Sequence, residues 1–314
     1  MKKLVSVVAP LYNEESLVVA YCDEVFRVFK NIEDDYSLEL ILVDDGSSDS
    51  TYQKMADMKS RFPNIITTVR LSRNFGLEAA VQAGLNVAEG DAVVVMDADL
   101  QDPPDVIIEM INNWKAGADV VVARRKSRPN DSLFKTLTAR IYYKVLDMLS
   151  GRIKLEKDAA NYRLLDREAV NKLNALPEVN RVFRVLVPFL GMKTAVVEYE
   201  RDKRYAGETK YNFRSMVRYA LDGITGISIE PLRKVPLIMN FTVLLSLGML
   251  TGALLFSGLY QAVFVSLFIL SILFALLFLA LSVIAEYIGQ IFVEVKRRPD
   301  SISYTISSRS NDNF

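Results

Sequence analysis

The chain has 314 residues, 38 Lys and Arg against 38 Asp and Glu, one Cys and no His. This excludes a Ser-His-Asp triad, an HExxH zinc site, an internal disulfide and a Cys-rich zinc cluster. Catalysis is left to carboxylates, hydroxyls, amines or a metal held through oxygen. The zero net charge also hides a split. Residues 1–120 carry 21 acidic and 10 basic side chains, net −11, whereas residues 121–314 carry 17 and 28, net +11. Such asymmetry points to two halves with different partners.

The first apolar run, Leu4–Ala9, is too short for a signal peptide and is interrupted at once by Pro10 and Asn13-Glu14-Glu15. It reads as a strand. Further β-branched runs follow at Leu38–Val43, Ile65–Leu71, Ala92–Met96 and Val120–Ala123. Helix-length segments lie between them at Ser16–Lys30, Thr51–Phe62, Leu77–Ala88 and Pro104–Ala116, with Pro104 suited to a first turn and Gly117 to an exit. The alternation predicts an α/β fold with a doubly wound, mainly parallel sheet. Ligands of such sheets bind beyond the carboxyl ends of the strands.

Acidic or polar clusters stand at three of those ends: Pro10-Leu11-Tyr12-Asn13-Glu14, Asp44-Asp45-Gly46-Ser47-Ser48-Asp49 and Asp97-Ala98-Asp99-Leu100-Gln101-Asp102. Each alone is a serviceable turn or helix cap. Three on one rim concentrate negative charge, which is costly without a cation. Neither Gly-x-Gly-x-x-Gly after the first strand nor a P-loop string is present, so dinucleotide binding and P-loop hydrolysis lack support. Asp-x-Asp with a nearby Gln is instead a hard-oxygen set suited to Mg²⁺ or Mn²⁺, which commonly adds substrate phosphates to one or two carboxylates. The chemistry implied is departure of a diphosphate.

From Val235 to Ala285 no residue is charged, a run of 51. A membrane span needs roughly 20 helical residues. The run therefore predicts two transmembrane helices, Val235–Phe256 and Ala262–Ala285, turning at Ser257–Gln261. Arg233 and Lys234 before it, and Lys296, Arg297 and Arg298 after it, place both flanks in the cytoplasm by the positive-inside rule. Two stretches with interleaved apolar and basic residues, Leu133–Leu149 and Asn212–Ile229, have the composition of helices lying in a membrane interface. The expected organisation is a catalytic domain over 1–210, juxtamembrane helices over 211–234, two spans over 235–288 and a cytoplasmic tail over 289–314. The protein would be a multi-pass protein of the cell membrane with both termini cytoplasmic. A two-helix hairpin has little to pack against alone, so a homo-oligomer is expected.

The strings PLYNE (Pro10–Glu14), VDDGSSD (Val43–Asp49), RNFG (Arg73–Gly76), DADLQDPP (Asp97–Pro104), YRLLDRE (Tyr162–Glu168) and RYAGETKY (Arg204–Tyr211) together resemble the family 2 glycosyltransferases of GT-A fold. Within these the chain is most similar to the polyprenyl-phosphate glycosyltransferases, including bactoprenol glucosyltransferases and dolichol-phosphate mannose synthases. The resemblance implies transfer of a sugar from a nucleotide-diphosphate sugar, such as UDP-glucose, to polyprenyl phosphate with inversion, for cell-envelope glycans. It gives the lipid bilayer as a partner and no nucleic acid.

By the same resemblance, Pro10, Tyr12, Glu14 and Asp44 would hold the nucleotide base and ribose. Asp97, Asp99 and Gln101 would form the Mg²⁺ or Mn²⁺ and diphosphate site. Arg124, Arg128, Ser132, Arg204 and Lys210 would grip phosphate, and Asp158 matches the acidic residue proposed as a base. A phosphomonoester has a second pKa of about 6, so the acceptor arrives largely ionised and Asp158 is expected to position more than to remove a proton. A processive polysaccharide synthase would need Gln-x-x-Arg-Trp, which is absent, the sole Trp being Trp114. Alternatives of other kinds are a glycosyltransferase acting on diacylglycerol or protein, and a non-catalytic membrane adaptor.

Overall fold

The computed structural model describes residues 2–126, 159–178, 181–200, 258–296 and 301–309, with the isolated residues Asn240 and Leu244. It divides the chain into two units. One comprises Met1–Arg140, Ile153–Asn212 and Pro299–Phe314; the other comprises Ile141–Arg152 and Phe213–Arg298.

The first unit carries one eight-stranded sheet. In chain order it runs β1 (Lys3–Leu11), α1 (Val18–Lys30), β2 (Tyr36–Asp44), α2 (Thr51–Arg61), β3 (Ile66–Leu71), α3 (Leu77–Val87), β4 (Ala92–Val95), α4 (Val106–Lys115) and β5 (Val120–Arg125). After the undescribed residues 127–158 come β6 (Ala159–Asp166), α5 (Arg167–Ala175), α6 (Phe183–Phe189) and β7 (Thr194–Tyr199), and finally β8 (Ser303–Ser307). The spatial order is β7-β5-β6-β4-β1-β2-β3-β8. The pairs β3-β2-β1-β4 and β5-β7 are parallel, while β6 runs antiparallel to β4 and β5, and β8 antiparallel to β3. The sheet is therefore mixed, although six of its eight strands share one direction.

The central strands are mostly apolar because both their faces are covered. Val5, Val7, Ala9 and Leu11 enter one core with Leu40, Leu42 and the inner faces of α1, α2 and α4. Val8, Ile41, Val43, Val93 and Val95 enter a second core with α3, α5 and α6. All five predicted strands and four predicted helices are found. Pro104 falls just outside α4, its carbonyl accepting from Ile107 N (3.0 Å). Gly117 ends the helix at φ +93°, a left-handed value natural to glycine, its N–H donating to the Trp114 carbonyl (2.8 Å).

The second unit's described part is α7 (Leu259–Lys296), 38 residues long. Its segment Phe268–Phe292 has mean hydropathy 2.9 and is 6% buried, and among the described residues it is the one helix long and apolar enough to cross a membrane. Ser266 and Ser282 return their hydroxyls to the carbonyls of Ala262 and Phe278 (2.7 Å each), which satisfies them within the helix. The helix runs eleven residues past the Ala285 expected from charge, because no proline interrupts it before Pro299. A two-helix hairpin is not shown: Val235–Phe256 lies outside the described residues apart from Asn240 and Leu244. The stretches Leu133–Leu149 and Asn212–Ile229 lie outside them altogether.

β8 was not legible as a strand, yet it closes the edge of the sheet after the apolar helix. Lys59 Nζ donates to the Ser308 carbonyl (2.6 Å), and Arg309 N donates to Thr67 Oγ1 (3.1 Å). Arg309 then lies against two acids, Glu89 (2.8 Å) and Glu39 (3.6 Å). Glu39 is 1% exposed, and its Oε2 accepts from Ser6 Oγ (2.5 Å) and Glu89 N (2.9 Å). A buried carboxylate stripped of its cation is costly. Arg309→Ala is therefore expected to destabilise the protein by about 1–3 kcal/mol. Adding Glu39→Gln should recover much of the loss. Thermal unfolding of the single and double variants in detergent checks this; equal loss in both would rule out the pairing as its cause.

Candidate active site

Parallel register places three loop starts at one rim. Leu11 lies opposite Asp44, Asp44 opposite Arg70, and Val8 opposite Val95. The chain beyond β1, β2 and β4 thus emerges side by side. Met96 N still donates to the Val8 carbonyl (3.0 Å), so Asp97 is the first residue to leave the sheet. This brings together Pro10, Tyr12, Glu14, Asp44, Asp97, Asp99 and Gln101.

The first two loops are knitted by reciprocal bonds. Asn13 N donates to Ser47 Oγ (2.9 Å), and Ser48 N donates to Asn13 Oδ1 (2.9 Å). Glu14 N donates to Thr51 Oγ1 (2.9 Å), and Ser50 N to Glu15 Oε2 (3.0 Å). Asn13 adopts φ +52°, which its short polar side chain tolerates. Tyr12 is partly exposed at the rim.

Asp44 and Asp45 are both buried but do different work. Asp44 Oδ1 accepts from Ser47 N (2.9 Å). Its Oδ2 has Arg70 Nε at 3.4 Å and no hydrogen bond among the described residues. Buried carboxylate oxygens are ordinarily hydrogen-bonded, so this one fits a ligand donor such as a base N–H or ribose hydroxyl. Asp45 instead accepts from Phe75 N (2.7 Å) and Gly76 N (3.0 Å). Burial pushes its carboxyl above the usual range, while those two N–H groups pull it back. The VDDGSSD and RNFG strings, far apart in sequence, are therefore one clamp.

The third loop carries Asp97, Asp99 and Gln101, all half-buried. Asp99 Oδ1 accepts from Gln101 N (3.1 Å), and Leu100 between them is held at φ +54°, a left-handed conformation costly for a branched side chain. Among the described residues no three Asp, Glu, His or Cys side chains are grouped so as to hold an ion unaided. One or two carboxylates completed by ligand phosphates is the usual Mg²⁺ arrangement, and this donor set fits it.

Asp102, which the sequence offered only as part of the cluster, is fully buried. Tyr199 Oη donates to its Oδ1 (2.6 Å), and Arg125 to its Oδ2 (3.1 Å). Arg125 Nε also donates to Tyr199 Oη (3.1 Å). Burial, then the adjacent Asp102, pushes the Tyr199 phenol far above its ordinary value, so it is a proton donor throughout the neutral range. From beneath, Tyr162 Oη donates to the Pro103 carbonyl (3.0 Å). Arg125, Tyr162 and Tyr199 were missed by sequence reasoning; only their residue types, rarely buried without a polar partner, could have marked them.

Of the cationic set, Arg124 alone is described. It is the penultimate residue of β5, at the same rim, and pairs with Glu198, both half-exposed, a contact worth little in water and readily exchanged. Arg128, Ser132, Asp158, Arg204 and Lys210 lie outside the described residues. The YRLLDRE string is scaffold: Asp166 caps α5 through Glu168 N (2.8 Å) and accepts from Trp114 Nε1 (2.8 Å), and Arg167 binds the Gly90 carbonyl.

Gly46 is the steric hinge of the Asp45 clamp. It sits at φ +70°, and a Cβ there would lie 2.3 Å from the Arg73 backbone carbon. Gly46→Ala is expected to cost about 1–3 kcal/mol in backbone strain alone and to weaken nucleotide binding at least tenfold, as about 1.4 kcal/mol suffices for that. Calorimetric titration with UDP checks this; unchanged affinity would separate the clamp from the binding rim.

Residues 6–173 match the family described as Glycosyl transferase family 2. The chain is 38% identical over 298 residues to the uncharacterized glycosyltransferase YkcC of Bacillus subtilis, covering 94% of this chain and 91% of that protein. It is 36% identical over 302 residues to the SfII prophage-derived bactoprenol glucosyl transferase of Shigella flexneri, covering 95% and 96%. Among solved structures it is similar to the mannosyltransferase PcManGT from Pyrobaculum calidifontis, with a TM-score of 0.49, 17% identity and coverage of 94% and 88%. Strand order, the acidic rim and this full-length kinship agree: the chain belongs to glycosyltransferase family 2 and has a GT-A-like α/β fold with a mixed sheet.

Proposed function

We propose that the protein transfers a sugar from a nucleotide-diphosphate sugar, UDP-glucose or a close analogue, to polyprenyl phosphate at the cytoplasmic face of the cell membrane. The observation that carries this is the single rim formed by Asp44, Asp97, Asp99 and Gln101 in a chain related over nearly its whole length to a bactoprenol glucosyl transferase. Asp44 and Tyr12 would orient the nucleoside. Asp97, Asp99 and Gln101 would hold a Mg²⁺ or Mn²⁺ ion, which when bound neutralises the diphosphate as it departs. Arg124, with Arg128, Ser132, Arg204 and Lys210, would hold the acceptor phosphate in line behind the anomeric carbon, so that substitution inverts it.

The expected membrane topology supports a lipid acceptor. β7 and β8 belong to one sheet, and an even number of bilayer crossings between them would return the chain to the same side. If α7 supplies one crossing, the uncharged stretch Val235–Phe256 is the available second. Lys and Arg at both flanks favour the cytoplasmic side for the sheet.

Incubating membranes that contain the protein with labelled nucleotide sugars should yield a lipid-linked sugar that depends on added polyprenyl phosphate. Product formed equally on diacylglycerol would overturn the acceptor assignment. Asp99→Ala and EDTA should each abolish turnover, and full activity in chelator would sink the metal role. For Asp158 a positioning role is proposed, because the acceptor is already ionised near neutrality. Asp158→Asn should stay impaired at every pH, whereas complete recovery at alkaline pH would indicate a general base.

A further inference from the structure

Every sugar-donor residue named above sits on β1, β2 or β4 or in the loop that follows one of them, yet the loop bearing Asp97, Asp99 and Gln101 is fastened from the other half of the sheet. Asp102 receives Tyr199 Oη (2.6 Å) from β7 and Arg125 (3.1 Å) from β5, and those two side chains are joined to each other (3.1 Å). The result is a closed triangle of charge-assisted hydrogen bonds around a fully buried carboxylate. Tyr162 of β6 adds a bond to the next carbonyl, Pro103 (3.0 Å), and packs its ring edge-on against Tyr199 at 5.8 Å.

Such a fastening is more than ordinary core packing. Two residues upstream, Leu100 is held left-handed at φ +54°, and Asp99 is folded onto Gln101 N. A branched residue leaves that conformation readily unless its surroundings hold it. The clamp also joins the loop to the end of β5, next to Arg124 and immediately before the chain enters residues 127–158.

We propose that Tyr199 and Arg125 are positioning residues that act through Asp102, holding the Asp97–Gln101 loop in the form that receives a metal-bound nucleoside diphosphate. This rests on the metal-nucleotide reading of the rim given above. The triangle touches no substrate; it determines where Asp99 and Gln101 stand.

The test uses the full-length protein in detergent micelles. Binding of Mn²⁺ in the presence of UDP is followed by the electron paramagnetic resonance signal of the free ion, and folding by thermal unfolding. Tyr199→Phe deletes one hydroxyl and keeps the ring. It should weaken Mn²⁺–UDP binding about tenfold, the scale of one buried hydrogen bond to a charged group, in a protein that still unfolds cooperatively with its melting temperature lowered by only a few degrees. In turnover, KM for metal and donor should rise by about the same factor while kcat at saturation stays within about threefold. Arg125→Lys, which keeps the charge but loses the two-pronged contact, should behave likewise and serves if Tyr199→Phe does not fold. Either folded variant binding Mn²⁺–UDP as tightly as the wild type overturns the positioning role alone. A wild type that binds no Mn²⁺ with UDP overturns the metal reading and this proposal with it.

Discussion

The rim gathers negative charge: Asp44, Asp45, Asp97, Asp99 and Asp102 are supplied by two loops starting from strands separated only by β1. Like charges at short range oppose one another's ionisation and burial opposes it further, so each must be answered. For three of them the answering groups are plain. Asp45 receives two backbone N–H groups, Asp102 receives Arg125 and Tyr199, and Asp44 receives Ser47 N with Arg70 beside it. Asp97 and Asp99 sit half-buried at the open edge. On the proposed reading, the arrangement sorts the carboxylates into those that shape the loops and those that would meet a cation.

This sorting explains why the loops are built as they are. A left-handed Leu100, a left-handed Asn13 and a Gly46 backed against the Arg73 backbone are local conformations that a free chain would avoid. Hydrogen bonds fix each of them: Leu100 lies beside Asp99 and near Asp102, Gly46 beside Asp45, and Asn13 is in reciprocal bonds with the Ser47–Ser48 turn. Side-chain acceptors thus replace the backbone pairing that the strands lose when they end.

The parallel half of the sheet was legible because strands covered on both faces are written as apolar runs, with caps and turns between them. β6, β7 and β8 were not. β6 carries Arg163, 3% exposed, whose guanidinium bonds the Phe183 carbonyl, so its sequence reads as polar. β7 is an edge strand with mixed exposure. β8 follows a long apolar helix and finds β3 across more than two hundred residues, beyond the reach of any local pattern. The same limit applied to the site. Rim acids at strand ends could be placed from topology. The pairing of Asp45 with the backbone N–H groups of Phe75 and Gly76, or of Asp102 with Tyr199, depends on groups 30 and 97 residues apart.

The absence of histidine takes on a positive meaning here. No side chain in the chain has an ordinary pKa between 5 and 8, apart from any shifted by its surroundings. Burial drives the phenols of Tyr21, Tyr162 and Tyr199 upward, keeping each a proton donor, and Arg125 stays charged against Asp102. The tyrosine and arginine that hold the Asp97–Gln101 loop therefore keep one protonation state across the neutral range. An acceptor that arrives as a phosphate dianion supplies its own nucleophile. On the proposed mechanism, what it needs from the protein is alignment and fixed counter-charge, and a scaffold of protonated tyrosines and charged arginines suits that without a proton relay.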